Sequence, residues 1–328
     1  MSPPPVLFIL PFLVLVQSSR PSPPQLKTDF YAKTCPRFGK ILQDVITDKQ
    51  MAVPSAAAGV LRLFFHDCVV GGCDASLLLK SPSSSHSSER DHEINRSLPG
   101  DAFDVVIRAK TRLELECPGV VSCSDILAEA TRDLLTMVGG PFYPVPLGRR
   151  DSLAAHADDV QGHIATPTMP LTQIIDIFAA RGFSVQEMVT LSGAHTIGFS
   201  HCTEFASRIF NFSATQDHDP SMNPSYVDGL RKLCAGYKKD LTLAAFNDPM
   251  TAGKFDNAYY VNLQNGFGLL ASDQIMASDP RTKPFVDMYA KDGTKFFKDF
   301  AKAMEKVGLL DVKTGNQGEV RKRCDTPN

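Results

Sequence analysis

Eight cysteines, all from Cys35 onward, constrain this 328-residue chain more than any other feature. An even number in a secreted chain implies four disulfides, whereas a reduced cytosolic chain more often leaves its thiols unpaired. Eight cysteines allow on the order of a hundred pairings, so the connectivity stays open at this point. One pair is easy on geometry: Cys68 and Cys73 bracket Val-Val-Gly-Gly, and two glycines let the chain turn tightly. The secretory context comes from the N-terminus, MSPPPVLFILPFLVLVQSSRPSPPQLK. Its apolar run, Val6 to Val16, is interrupted by Pro11 and is too short for a spanning helix of about 20 residues. It fits the apolar region of a signal peptide, about 7–15 residues, although no Lys or Arg precedes it. The alternative is a Pro-rich tail. The expectation is a signal peptide over residues 1–24, cleaved between Ser19 and Gln25, with one domain over 25–328.

Hydrophobic residues make up 43% and charged residues 21%, ordinary values for a chain that buries a sizeable core. Lys and Arg number 34 against 36 Asp and Glu, with no basic stripe or Gly-rich phosphate loop, so nucleic acid is not an expected partner. Helical periodicity dominates. Ser55 is placed to cap a helix over AAAGVLRLFFH. Leu171 to Ala180 repeats apolar residues at helical spacing and stops before Gly182. Ser184 and Glu187 form a capping box ahead of the segment that carries His195. Phe296, Phe300, Met304 and Val307 make a stripe that ends at Gly308. Residues 141–148, PFYPVPLG, read as loop, as does the polar segment 81–91. Strand patterns are scarce, and no repeat or linker divides the chain. The predicted fold class is all-α.

Residues 61–76, LRLFFHDCVVGGCDAS, put unusual chemistry into an apolar helix. Arg62 and His66 stand at i and i+4, on one helical face. A guanidinium beside a neutral imidazole suits proton transfer on a substrate that becomes anionic. Asp67, Asp74 and Ser76 follow around the Gly-rich turn, hard oxygen donors of the kind that hold Ca²⁺. The ordinary reading is a capped helix end with turn-forming aspartates. His195, in LSGAHTIG, reads either as a packed core histidine or as a haem ligand held by an acceptor on its second nitrogen, for which Asp273 in GLLASDQ is a candidate. Asp248, Thr251 and Asp256, in NDPMTAGKFDN, form a second oxygen-rich turn, or an ordinary Asx-turn. Asn95-Arg-Ser and Asn211-Phe-Ser are glycosylation sequons, and Asn223-Pro-Ser is excluded by its proline.

RLFFHDCVVGGCDAS, VSCSDILA, GGPFYPVPLGRRD, LSGAHTIG, FDNAYY and GLLASDQ occur in this order. Together they resemble the secreted plant haem peroxidases, the class III family, over residues 25–328. The resemblance implies an all-α fold with haem b between a distal and a proximal helical half. Arg62 and His66 would be the distal pair that acts on H₂O₂, Asn95 would hold the distal histidine in its basic tautomer, and Phe65 would wall the pocket. His195 would be the iron ligand and Asp273 its buried partner. It implies two Ca²⁺ ions. One would be held by Asp67, Asp74, Ser76 and the Val70 and Gly72 carbonyls, with Glu89 reaching it through water. The other would be held by Thr196, Asp248, Thr251, Asp256 and the Lys254 carbonyl. The implied disulfides are Cys35–Cys117, Cys68–Cys73, Cys123–Cys324 and Cys202–Cys234. The implied reaction reduces H₂O₂ and oxidises small phenolic donors one electron at a time, in a secreted monomer with no membrane partner. No apolar stretch follows Cys324, so the expected destination is the cell wall or apoplast.

The chain departs from the pattern in two places. Ala165, in HIATPTMP, stands where the first proline of the family's Leu-Pro-x-Pro is expected, so altered donor binding is anticipated there. The Asn95 sequon conflicts with a catalytic asparagine, so Asn211 is the expected glycan site. A haem protein of the wall with little turnover and a secreted metal-dependent hydrolase are the alternatives. The first is disfavoured because Arg62, His66, Asn95 and His195 are all present, the second because neither HExxH nor GxSxG occurs. The chain has no tryptophan, which disfavours the intracellular peroxidases that use a proximal one.

Overall fold

The structure is a computed structural model that describes residues 26–81, 83 and 86–328. The expected signal peptide lies outside the described residues. Among those described, helices account for nearly all regular structure. Four build one half: α1 (Phe38–Ala52), α2 (Ala56–Val70), α3 (Gly100–Glu116) and α4 (Cys123–Met137). Helix α2 packs on both α3 and α4, and α1 packs on the same two. A long segment without helix or strand, apart from one 3₁₀ turn at Ala157–Val160, then leads to α5 (Leu171–Ala180) and α6 (Val185–Ser192). The chain continues through strand β1 (Phe199–His201), α7 (Ala206–Ile209), α8 (Pro224–Leu233), strand β2 (Ala244–Phe246), α9 (Ala258–Gln264), α10 (Ala271–Gln274), α11 (Lys283–Lys291) and α12 (Gly293–Val307). Strands β1 and β2 pair antiparallel, with Ser200 opposite Ala245. Helices α6, α9, α11 and α12 pack together as the second half, and α12 also touches α2.

The all-α expectation holds, and the reasons are local. Helix α6 opens with the reciprocal capping box of Ser184 and Glu187, which satisfies two amides that no helical carbonyl could reach. Helix α5 spans the expected ten residues and is followed by Gly182 at φ 81°, a left-handed position that glycine takes without strain. Helix α12 buries Phe296, Phe300, Met304 and Val307 on one face, as their spacing dictates. Ser55 is a correction. It sits in helical geometry and caps nothing; Gln50 Oε1 accepts from the Ala57 amide instead. Helix α2 also runs to Val70, beyond the expected stop, so Asp67 and Cys68 are helical.

Four disulfides staple the halves: Cys35–Cys117, Cys68–Cys73, Cys123–Cys324 and Cys202–Cys234. These are the pairs that the resemblance implies. Cys123–Cys324 ties the C-terminal segment to the start of α4 across 201 positions, the kind of long loop whose closure restricts the unfolded chain most. No described helix is long and apolar enough to cross a membrane.

Candidate active site

Helix α2 is apolar nearly all round, so its few polar side chains must find partners inside the protein. His66, 5% exposed, places Nδ1 2.7 Å from Asn95 Oδ1. A side-chain amide oxygen only accepts, so Nδ1 carries the proton and Nε2 is the basic nitrogen. Asn95 is itself held by its Nδ2, which donates to the Glu89 carbonyl at 2.8 Å. Burial first, and the Arg62 charge second, push the His66 pKa down to about 3 against the Asn95 hydrogen bond, so the imidazole is neutral at any physiological pH. One turn back, Arg62 is steadied by the Ser97 carbonyl and hydroxyl, at 3.2 and 3.0 Å.

His195 occupies a 3₁₀ turn that follows α6. Its Nδ1 lies 3.0 and 3.1 Å from the two oxygens of Asp273, a carboxylate that is 4% exposed. Burial and the Arg62 charge depress the basicity of this ring, and Asp273 outweighs both, so its pKa is raised. Arg62 is therefore felt electrically at both imidazoles. The His195 side chain nevertheless keeps 42% of its surface accessible. Desolvation thus acts on a ring of which part stays accessible, so its second nitrogen can still be reached. With Nδ1 committed to Asp273, Nε2 is the nitrogen that can bind a metal, and Asp273 is the anionic partner that raises a ligand's donor strength. The donor set therefore fits haem.

Each of the two histidines has an oxygen-rich cluster close to it in the chain. Near His66, Asp67, Asp74, Ser76 and Glu89 are each buried to within 2%. Burial, then Asp74, then Glu89 push the Asp67 pKa far up, and burial lifts Glu89 to about 7. Ser76 Oγ and Glu89 Oε2 make no hydrogen bond of ordinary geometry, and Ser76 only partly offsets the burial of Glu89. Buried acids repelling one another, beside oxygens so weakly bonded, are a site short of positive charge. Lys313 supplies some, since its ammonium bonds Asp74. Gly72 closes the turn at φ 111°, and a Cβ there would meet the Asp311 carbonyl at 2.6 Å. Near His195, Thr251 Oγ1 reaches Asp248 at 2.9 Å and Asp256 at 3.1 Å, and Thr196 Oγ1 reaches the same pair at 3.3 and 3.5 Å. Lys254 joins this cluster through its ammonium, 3.2 Å from Asp256. Among the described residues no three His, Cys, Asp or Glu side chains converge as a metal-binding group. An ion at either place must draw on hydroxyl and carbonyl oxygens, which suits Ca²⁺ and not Zn²⁺.

Sequence reasoning missed three participants. Lys313 is 239 positions from Asp74. Asn262 donates to Asp248 at 2.7 Å and fixes its orientation. Arg181 bonds the Cys68 carbonyl at the end of α2. None belongs to a local motif, so only the fold brings it in. Phe65 stacks on Phe178 with ring centres 5.9 Å apart, and with Val69, His163, Ala165, Arg181 and Phe183 it lines a small cavity behind His66.

Comparison with known proteins gives the family. The family model described as Peroxidase matches residues 42–292. Peroxidase 6 of Arabidopsis thaliana is 57% identical, covering 98% of each chain. Peroxidase 41 of the same plant is 54% identical over 98% of this chain and 96% of its own, and Peroxidase 65 is 56% identical over 92% and 88%. The chain belongs to the plant peroxidase family and is an H₂O₂-dependent peroxidase.

Proposed function

We propose that this peroxidase holds haem b between His66 and His195, with His195 Nε2 as the iron ligand. When bound, the haem supplies the two-electron reduction of H₂O₂ and takes the electrons back one at a time from donors. The chain's own residues do the rest. His66 Nε2 takes a proton from the oxygen of H₂O₂ that binds and returns it to the oxygen that leaves. Arg62 steadies the negative charge that develops between those steps. Asn95 keeps Nδ1 protonated, so that Nε2 stays basic, and Asp273 strengthens His195 as a donor. Asp67, Asp74, Ser76, Glu89 and the Val70 and Gly72 carbonyls hold one Ca²⁺. Thr196, Asp248, Thr251, Asp256 and the Lys254 carbonyl hold the other. The observation that carries this reading is the opposite treatment of two imidazoles, His66 lowered and bonded to an amide and His195 raised and bonded to a buried carboxylate.

The donors are small phenols meeting an open edge near Ala165, with the reaction serving phenol coupling or peroxide removal, in a secreted monomer of the apoplast. Asn211, exposed at φ 50°, carries the glycan. Asn95 does not, because its Nδ2 is committed to Glu89 in the interior. The test is the absorption spectrum of the purified protein before and after one equivalent of H₂O₂. A Soret band that weakens and then recovers with a phenol supports the reading. No Soret band in a folded, haem-supplied sample contradicts it.

A further inference from the structure

The chain has seven tyrosines and no tryptophan, so tyrosine is its most readily oxidised aromatic side chain. Three of the seven form an unbroken line from the proximal histidine. The Tyr259 ring lies 6.3 Å from the His195 ring, centre to centre, and 5.0 Å from Tyr260. Tyr260 lies 5.1 Å from Tyr289. All three rings are within 2% of full burial, so no donor from solvent reaches them. Gly193 allows the tight approach, since a Cβ there would stand 2.4 Å from Tyr260 Oη. The neighbouring rings of Phe255, Phe296 and Phe300 offer no branch, because a phenyl ring is far harder to oxidise than a phenol.

The three phenols differ in what can receive a proton. A phenol that loses an electron becomes strongly acidic, so it persists as a radical only where its proton has an acceptor. Tyr260 Oη donates to the Val189 and Thr190 carbonyls, which cannot take a proton. Tyr259 Oη makes no hydrogen bond of ordinary geometry, and the carboxylate that acts on it, Asp273, is already committed to His195 Nδ1. Tyr289 Oη donates to Asp299 Oδ2 at 2.9 Å, and Gln186 and Thr190 fix its position. Burial works against ionisation of Asp299, but Lys295, at 2.5 and 2.7 Å, and the other hydrogen bonds hold its pKa below the usual range, so the carboxylate is ready to accept.

We infer that Tyr259, Tyr260 and Tyr289 form an electron relay that gives this peroxidase a second, protein-based oxidation site at Tyr289. One electron passes from Tyr289 through Tyr260 and Tyr259 to the oxidised haem site, and the phenolic proton passes to Asp299. The neutral Tyr289 radical is later reduced by one electron from an external reductant, and Asp299 returns the proton. Asp299 is 13% exposed and Lys295 39%, so the line ends one side chain below the surface. It drains oxidising equivalents when no donor occupies the main site. Tyr31 provides an internal contrast. It also donates to a carboxylate, Asp125, but its ring neighbours are Phe30 and Phe38, so no relay reaches it.

The inference rests on the haem reading, and the experiment separates the two. Holoenzyme is mixed with H₂O₂ without donor and frozen for electron paramagnetic resonance, with the absorption spectrum recorded in parallel. The expected result is a tyrosyl signal in the wild type that disappears in Tyr289→Phe and weakens several-fold in Tyr260→Phe and Asp299→Asn. Tyr289→Phe should also survive several-fold fewer peroxide turnovers before losing its absorption, while its steady-state rate with a small phenol stays unchanged. A peroxide-responsive spectrum with a tyrosyl signal that survives both Tyr289→Phe and Tyr260→Phe would overturn the relay alone, as would the absence of any tyrosyl signal. Absence of haem absorption in the wild type would overturn both.

Discussion

The two halves of the molecule treat a histidine in opposite ways. His66 offers Nδ1 to a neutral amide, and burial with Arg62 leaves it far too weak a base to be charged. His195 offers Nδ1 to a buried carboxylate, and its pKa rises despite desolvation and the same arginine. The difference is one atom pair, Asn95 Oδ1 against the Asp273 carboxylate. A proton acceptor must be empty when its substrate arrives, which the amide ensures. A permanent metal ligand gains from an anionic neighbour, which the carboxylate provides. The oxygen clusters differ in parallel. The distal acids are desolvated and short of positive charge, whereas Asp248 accepts from Asn262 and from the Met250 and Thr251 amides, so its charge is already well solvated.

The largest break in this comparison comes from removing the distal base. His66→Leu should retain haem and fold but react with H₂O₂ about 10²–10⁴-fold more slowly by rapid mixing. Removing the proximal anion comes next. Asp273→Asn should cost about 10–100-fold in haem retention or turnover, read by haem loss to an acceptor protein. Chelation then probes the clusters. Loss of Ca²⁺ should lower the melting temperature, and Lys313→Leu should enlarge that drop, because Lys313 is the cation that bonds Asp74. Equal drops in the variant and wild type would remove Lys313 from the account. The smallest effect is expected at Ala165→Pro, a change of a few-fold in the phenol constants with the H₂O₂ rate unaltered.

Much of this was legible in the sequence because it is encoded locally. Arg62 and His66 share a helical face by spacing, the Ser184–Glu187 box marks a helix start, and the Cys68–Cys73 loop closes on its own glycines. The His195–Asp273 contact spans 78 positions and the Cys123–Cys324 bond 201, so nothing local could prove either. Asp273 stood only as a candidate acceptor, and the Cys123–Cys324 pair entered only through the ordered motifs. Lys313, Asn262 and Tyr289 carried no motif at all, and FDNAYY showed Tyr259 and Tyr260 without their partners. Their partners meet by packing of α9, α11 and α12 and of the C-terminal segment, which periodicity does not specify. Ser55 failed for a different reason. A residue type suited to capping still needs the extended backbone that lets its oxygen reach the amides, and Ser55 has helical angles.

The asymmetry is tested most directly by the pH dependence of the second-order rate with H₂O₂, in the wild type and in Asn95→Asp. With the His66 pKa lowered to about 3, the neutral base persists on acidification, so the wild-type rate should stay level until the pH approaches that value. A carboxylate at position 95 would copy the proximal arrangement and raise the His66 pKa, moving the acid limb upward by at least one pH unit. Acid limbs that coincide in the two proteins, or a wild-type limb already near pH 6.5, would contradict the assignment of Asn95 as the residue that keeps His66 a free base.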